Sequence, residues 1–299
     1  MTQSLLVTPF EQFKPQENNI YIIGAFESFH QGHYSLLKQA QKLKGRKILV
    51  TFDNDDLPNK GKKFTDNNAK LANYTNLPID QIVLLEFSKI GLMEGLDFLQ
   101  KLTGNLACTI IVGKNFACGR NAACKVSDIK NFLKNANVIG VDILKEQGSK
   151  ISTSNLKEAL FFGDLEFLDN KLIHNYTFTA FNFNSVEWTF ERDSQITPIA
   201  EGFYYGSVIV LLKQSKMIFP ALIQINKNNQ NGIFLLTNLD ENSKFNKDIL
   251  KEFKLASKKH ELLIEIVKTF RLIKKSDNQI ITDLDLEKAE ENFDFAWFK

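Results

Sequence analysis

The chain reads as an α/β protein: a doubly wound parallel sheet followed by a small antiparallel β-barrel with a C-terminal helix. Three observations predict this. Buried, β-branched runs alternate with helically spaced segments as far as about Leu172, the pattern of βαβ units. From Tyr176 onward the apolar residues fall into successive short strand-like runs, as in an antiparallel barrel. The last stretch, Asp283 to Phe298, spaces Leu284, Leu286, Ala289, Phe293 and Trp297 along one helical face.

Asn19 to Gly24 is apolar and β-branched, as a strand covered on both faces should be, and Tyr34 to Ala40 continues with helical spacing. The stretch joining them, Ile23 to His33, reads I-G-A-F-E-S-F-H-Q-G-H and holds half of the chain's four histidines. In a parallel sheet such a turn lies at the carboxyl ends of the strands, where backbone N–H groups and the helix dipole favour an anion. A phosphate is the expected guest. Gly24 allows the sharp exit from the strand, Gly32 lets a ligand approach the backbone, and His30 and His33 can each aim a ring N–H at phosphate oxygens. Two other readings compete. The histidines could ligate zinc with Cys108, Cys118 or Cys124, although no cysteine pair has the short C-x2-4-C spacing, or they could be surface residues of a structural turn.

Arg46 to Asp53 is a second buried strand. Asp53 ends it, where a carboxylate could hold a metal-bound triphosphate; an ordinary acidic loop with Asp55 and Asp56 solvated explains the same residues. Lys60 to Lys63 form a basic, flexible loop around Gly61, Asp66 to Tyr74 a helix, Gln81 to Phe87 a strand, Glu94 to Leu102 a helix and Cys108 to Gly113 a fourth strand. Gly113-Lys114 is no P-loop, because Cys108 stands where the first glycine is required and Asn115 replaces Ser/Thr. Ile151 to Leu160 opens a helix with polar caps at Ser152 and Thr153, and Gly163-Asp164 starts another to about Leu172. The barrel runs are Thr177 to Asn184, Val186 to Glu191, Gly206 to Leu212, Met217 to Ile225, Gly232 to Thr237 and His260 to Ile273.

At 299 residues, 43% of them hydrophobic, the chain has material for about two cored domains, here divided as 1–175 and 176–299. Lys+Arg exceeds Asp+Glu by two, so no overall field recruits nucleic acid or an acidic membrane. No segment approaches the ~20 apolar residues of a membrane span, and Met1 to Lys14 lacks a signal pattern. Three cysteines without framework spacing fit a reducing compartment, so the expected location is cytoplasmic. Arginine is scarce, with Arg46, Arg120, Arg192 and Arg271 alone, so a lysine where arginine is usual reflects a chain-wide habit.

H-x-G-H after a first strand resembles the signature of nucleotidylyltransferases and class I aminoacyl-tRNA synthetases, and the flanking residues narrow this to the bacterial FAD synthetases, the bifunctional riboflavin kinase/FMN adenylyltransferases. Their first motif is close to G-x-F-D-G-V-H-x-G-H; here Glu27, Ser28 and Phe29 replace D-G-V. Thr51-Phe52-Asp53 resembles T-F-D/E-P-H-P, with Asn54, Asp55 and Asp56 in place of P-H-P. Val112 to Arg120 resembles V-G-x-[DN]-F-x-F-G-x with Cys118 in place of an aromatic, and Ile151 to Leu160 resembles I-S-S-T-x-I-R-E-A-L with Lys157 at the arginine.

The resemblance implies a Rossmann-like nucleotidylyltransferase domain that makes FAD and pyrophosphate from FMN and ATP with Mg2+. His30 and His33 would stabilise charge on the ATP phosphates, Asn115 would orient them, and Lys157 with Ser152 and Thr153 would hold the pyrophosphate. Gly24, Phe26 and Gly32 would shape the pocket and Asp53 would be metal-linked. The barrel resembles the riboflavin-kinase module without its chemistry. That module carries G-R-x-L-G-x-P-T-A-N, and this chain has no Pro-Thr pair; Val186 to Glu191 is bulky and without glycine where the glycines should stand. Asn182, Asn184, Glu261 and Glu265 are the residues a rewired kinase could use. Otherwise the barrel covers the transferase domain or mediates self-association. The alternatives are a non-catalytic flavin- or nucleotide-binding descendant, a still bifunctional enzyme, a transferase for another mononucleotide or phosphopantetheine, and a class I synthetase, for which Ser215-Lys216-Met217 is a poor K-M-S-K-S loop.

Overall fold

The computed structural model describes residues 5–58, 61–142, 145–146, 149–213, 215–236, 246–273 and 280–298. Lys60 of the basic loop and Thr237 of the fifth barrel run lie outside the described residues. The chain forms two compact units, residues 1–61 with 74–152 and residues 62–73 with 153–299.

The first unit is built on a six-stranded sheet: β1 Leu6–Pro9, β2 Ile20–Ile23, β3 Lys47–Phe52, β4 Gln81–Leu85, β5 Cys108–Gly113 and β6 Ala136–Val141. All pairings are parallel and the order is β1-β4-β3-β2-β5-β6. Every residue of β2 is buried, which is why it reads as an unbroken apolar run. Ile22 lies in register with Leu49 of β3 on one side and Ile111 of β5 on the other. Along one face Tyr21, Ile23, Ile48, Val50, Ile110 and Val112 form a core with Phe98, Leu99 and Leu102 of the helix Gly95–Thr103. Each such side chain contributes about 1.5–3 kcal/mol on full burial.

The chain runs from β2 to β3 and β4 on one side, then returns to place β5 and β6 on the other. The order therefore reverses between β2 and β5. In open α/β sheets this is where the loops part to leave a crevice at the carboxyl ends.

The second unit is a closed antiparallel barrel in the order Tyr176–Asn184, Thr189–Glu191, Asn231–Leu235, Lys216–Ile225, Gly202–Leu211 and Leu262–Leu272. Closure comes from Leu262–Leu272, which pairs with both Tyr176–Asn184 and Gly202–Leu211. Tyr176, Phe178, Tyr204, Val208, Ile223 and Ile264 belong to its core, together with Leu156 and Leu160 of the helix Thr153–Phe162.

Several elements differ from the sequence expectation. Strands β1 and β6 and the helix Val126–Phe132 are too short to show a clear period, whereas the helix Asn246–Ser257, absent from the sequence expectation, does have Ile249, Phe253 and Ala256 at helical spacing. The run from Val186 begins its strand only at Thr189, because Asn184 Oδ1 accepts the amides of Val186 and Glu187 in a turn and Trp188 sits at φ 56°. The terminal helix ends at Glu291, and Phe295–Trp297 is a separate 3-10 turn in which Asp294 Oδ1 accepts the Ala296 amide. The helix after β2 starts at Gln31, three residues before the expected Tyr34, so Gly32 and His33 lie in its first turn.

Candidate nucleotide-binding site

The histidine stretch sits at the carboxyl end of β2, and Asn115 follows the carboxyl end of β5, the neighbour across the switch point. His30 is the N-cap of the helix Gln31–Gln41, at φ −92° and ψ 172°, and its carbonyl accepts the amides of His33 at 2.9 Å and Tyr34 at 3.0 Å. Its side chain makes no capping bond. Instead its ring stacks on His33, with centroids 3.7 Å apart and planes at 18°. One helical turn brings positions three apart onto one face, so the H-x-x-H spacing yields this stack.

His33 is half-buried, and its Nδ1 lies 3.0 Å from the Ser28 carbonyl. A carbonyl only accepts, so Nδ1 carries the proton, and the neutral ring presents Nε2 as an acceptor. Phe26 is buried at φ 46°, its ring edge-on to His33 at 5.0 Å. A Cβ on Gly24 would meet that ring at 2.8 Å, so it is the Phe26 ring that favours glycine here; the expected role of Gly24 in the strand exit has no left-handed backbone behind it, the left-handed residue of this loop being Phe26.

The carbonyls that precede the histidines are tied back by side chains. Thr51 Oγ1 donates to Ala25 O at 2.8 Å, the Tyr74 hydroxyl to Phe26 O, and Asn54 Nδ2 to Glu27 O at 3.5 Å. Motif reading missed the part played by these three donors. Thr51 carries a signal in the sequence, a polar residue inside a buried apolar strand; Asn54 between Asp53 and Asp55, and Tyr74 between Asn73 and Thr75, carry none.

Asp53 directly follows β3, its amide bound to Leu85 O at 2.8 Å, and its Oδ1 accepts the amide of Asp55 at 2.8 Å. Asp56 Oδ2 accepts both the amide and the hydroxyl of Ser88, so it serves the short helix Phe87–Ile90. Asn115 is exposed in a tight turn closed by the Phe116 amide on Gly113 O at 2.8 Å, and a Cβ on Gly113 would lie 3.2 Å from Asn115 Oδ1. Cys118 and Cys124 face one another in a two-stranded hairpin; burial pushes the Cys118 thiol up to about 12 and raises Cys124 as well. Thiols so protonated are poor nucleophiles. Among the described residues no group of three or more His, Cys, Asp or Glu is arranged to hold a metal. A lone carboxylate such as Asp53 does suit a Mg2+ that arrives on a triphosphate, since that ion commonly takes one or two carboxylates and completes its shell with phosphate and water.

Ser152 ends the last segment of the first unit, while Thr153 and Lys157 belong to the second, on the helix Thr153–Phe162; all three are half-buried. In the barrel, Glu265 accepts from Ser207 Oγ at 2.9 Å and from Asn175 Nδ2 at 3.1 Å, while burial raises its pKa above the ordinary value. Glu261 accepts from Asn68 Nδ2 at 2.6 Å, and Asn182 donates to Glu191 at 2.9 Å. Trp188 stacks on Phe253 at 5.1 Å and 12°.

Residues 12–155 match the family model described as FAD synthetase. Among curated proteins, the bifunctional riboflavin kinase/FMN adenylyltransferase of Listeria monocytogenes is 24% identical over 173 residues, which is 54% of this chain and 55% of that protein. The match thus spans little more than half of the Listeria protein. A putative enzyme of the same description from Geobacillus thermodenitrificans is 26% identical over 156 residues, 50% of this chain and 86% of that one. The crystal structure of a macrolide-efflux protein from Streptococcus pneumoniae superposes with a TM-score of 0.68, covering 97% of this chain and 100% of that one at 15% identity. At that identity the likeness is one of fold.

Proposed function

We propose, from the premise that residues 12–155 belong to the FAD synthetase family, a family of nucleotidyltransferases, that this chain is an FMN adenylyltransferase that makes FAD and pyrophosphate from FMN and MgATP. The observation that carries the reading is the stacked pair His30 and His33 at a helix start, placed after β2 at the switch point beside the Asn115 turn after β5. The FMN phosphate oxygen attacks the α-phosphorus of ATP in line, and the bond from that phosphorus to the bridging oxygen breaks, releasing pyrophosphate. The protein's part is to position the groups and neutralise charge.

With Nδ1 committed to Ser28 O, His33 donates from Nε2 only as the imidazolium, so the cationic ring is the form that binds phosphate. His30 would act beside it, Gly24, Phe26 and Gly32 shape the loop, and Asn115 orients the phosphates. Asp53 would stand by the metal, and Ser152, Thr153 and Lys157 would hold the departing pyrophosphate. Lys157 supplies a point charge without the arginine fork.

Kinase activity is lost in this reading. The carboxylates and amides a rewired kinase could use are taken by the chain's own donors and acceptors: Glu265 by Ser207 and Asn175, Glu261 by Asn68, Asn182 by Glu191, and Asn184 by the turn at Val186. Trp188, stacked on Phe253, fills the stretch where glycines would let a phosphate approach. We assign 1–175 to adenylyl transfer and 176–299 to a structural or self-associating barrel, in a cytoplasmic protein that uses neither nucleic acid nor membrane. No helix among the described residues is long and apolar enough to cross a membrane. The test is purified protein with FMN, ATP and Mg2+, with FAD and pyrophosphate measured together. Nucleotide or flavin binding with neither product formed would favour the non-catalytic alternative.

A further inference from the structure

We infer that Tyr74, with Thr51 and Asn54, is a positioning residue for the histidine pair, acting by holding the carbonyls of the loop that leads into it. Four consecutive carbonyls are each held by a side chain: Ala25 by Thr51, Phe26 by Tyr74, Glu27 by Asn54 and Ser28 by His33 itself. The first three donors are buried, with Thr51 and Asn54 at 0% exposure and Tyr74 at 1%. Such donors have no water to turn to, so each bond fixes a direction for its peptide plane.

Tyr74 matters most because of where it bonds. Phe26 lies at φ 46°, a region that residues other than glycine rarely occupy, and it persists only when its surroundings hold it there. The Tyr74 hydroxyl donates to that residue's carbonyl. The ring of Tyr74 adds a second grip, edge-on to Phe29 at 5.2 Å, and Phe29 in turn lies 5.5 Å from Phe26 and 5.9 Å from His33. A shift of Phe26 would carry with it Ser28 O, the acceptor that sets the tautomer and tilt of His33, and through the 3.7 Å stack it would reach His30. Burial holds the Tyr74 phenol protonated well above its ordinary range, so it remains a donor at every pH where the protein works.

For its kinetic consequence this inference rests on the adenylyl-transfer reading; for its structural consequence it stands alone. The experiment reads both on the full chain. In 15N-labelled protein the ring N–H of His33, assigned by its loss in His33→Gln, is followed in wild type, Tyr74→Phe and Thr51→Val. Tyr74→Phe removes one oxygen and Thr51→Val is isosteric, so one variant answers if the other folds poorly. The expected result is a shifted or fast-exchanging His33 signal in both, with kcat for FAD formation lowered roughly 10- to 100-fold, as for a misplaced catalytic group, and KM for ATP held within about twofold. Thr51→Ser should keep both readouts at wild-type values. An unchanged His33 signal in Tyr74→Phe and Thr51→Val overturns the inference whatever the turnover, including the case where only Tm falls. If wild type makes no FAD, the adenylyl-transfer reading fails, and the ring signal still decides whether these side chains position His33.

Discussion

Removing the His30 ring tests the proposed chemistry at its centre, and the surroundings of that ring define what else the removal disturbs. The ring is 6% exposed and it stacks on the ring of His33. It makes no capping bond, and alanine keeps the backbone carbonyl that accepts from His33 and Tyr34, so the helix start survives His30→Ala. The folding cost should fall in the ~0.5–3 kcal/mol of an ordinary buried substitution. The loss in rate should be larger. A donor that meets charge developing in the transition state is worth about 3 kcal/mol by comparison with oxyanion sites, or roughly 10² to 10³ in kcat. Because that interaction strengthens only as charge moves, KM for ATP should change little while kcat and kcat/KM fall together. The assay is FAD formed from FMN, ATP and Mg2+, separated by chromatography, beside circular dichroism and thermal melting of the same preparation. Wild-type turnover in a normally folded His30→Ala protein would refute the assignment.

Lys157→Ala should lower kcat/KM for ATP by about 10- to 100-fold, the worth of a hydrogen bond to a charged group, whereas Lys157→Arg should match or exceed wild type because its fork suits phosphate; alanine equal to wild type would remove Lys157 from the site. Burial keeps Glu265 protonated to higher pH in the folded state than its ordinary 4.5, so its contribution to stability is fully present below 4.5 and is lost as pH rises through the folded value. Glu265→Gln should therefore flatten that decline in urea unfolding measured across the acid range, and an unaltered slope would show that Glu265 ionises as freely folded as unfolded. Riboflavin, ATP and Mg2+ given to the purified protein should yield neither FMN nor FAD, while FMN in place of riboflavin yields FAD. FMN appearing from riboflavin at a comparable rate would restore the kinase.

The parts of this molecule that are legible in the sequence are those whose physics is local. The strand Ile20–Ile23 reads as buried because all its residues are apolar, and the histidine stretch is legible as a strand-to-helix turn from its flanks, whereas the stacking of its rings goes with a helix start at Gln31 that the spacing does not reveal. Tyr74 is legible only as the end of a helix. Its bond reaches Phe26, 48 residues away, and nothing in either segment announces the other. Residues 62–73 likewise read as an ordinary segment of the first half, yet they pack with the second unit: Lys63 pairs with Asp193 at 3.2 Å, and Asp66 accepts from the Thr179 amide at 2.8 Å and its hydroxyl at 2.6 Å. Strand β6, Ala-Asn-Val-Ile-Gly-Val, is a sheet edge with one fully buried residue, Val138, so it never needed the apolar run that a pattern search detects.

The departures from the family pattern can be weighed by what surrounds them. Cys118 stands where an aromatic is usual, and its hairpin partner is Cys124, which leaves so little room that a Cβ on Gly95 would lie 2.3 Å from Cys124 Cβ and 3.1 Å from Cys118 O. That close packing involves Cys124 and the backbone at 118, and it leaves the size of the side chain at 118 without a structural explanation. Phe29, in place of a valine, is wedged between Phe26 and Tyr74, and the loop carbonyls beside it are matched by donors at Thr51, Asn54 and Tyr74. Asn54 itself replaces a proline, a residue whose side chain could donate nothing to Glu27 O. Phe29 and Asn54 thus fit the loop in which they stand, with the two histidine rings stacked at the helix start. Packing of this kind serves a transferase and a nucleotide-binding protein alike, so it is turnover of FMN and ATP to FAD that separates the two readings.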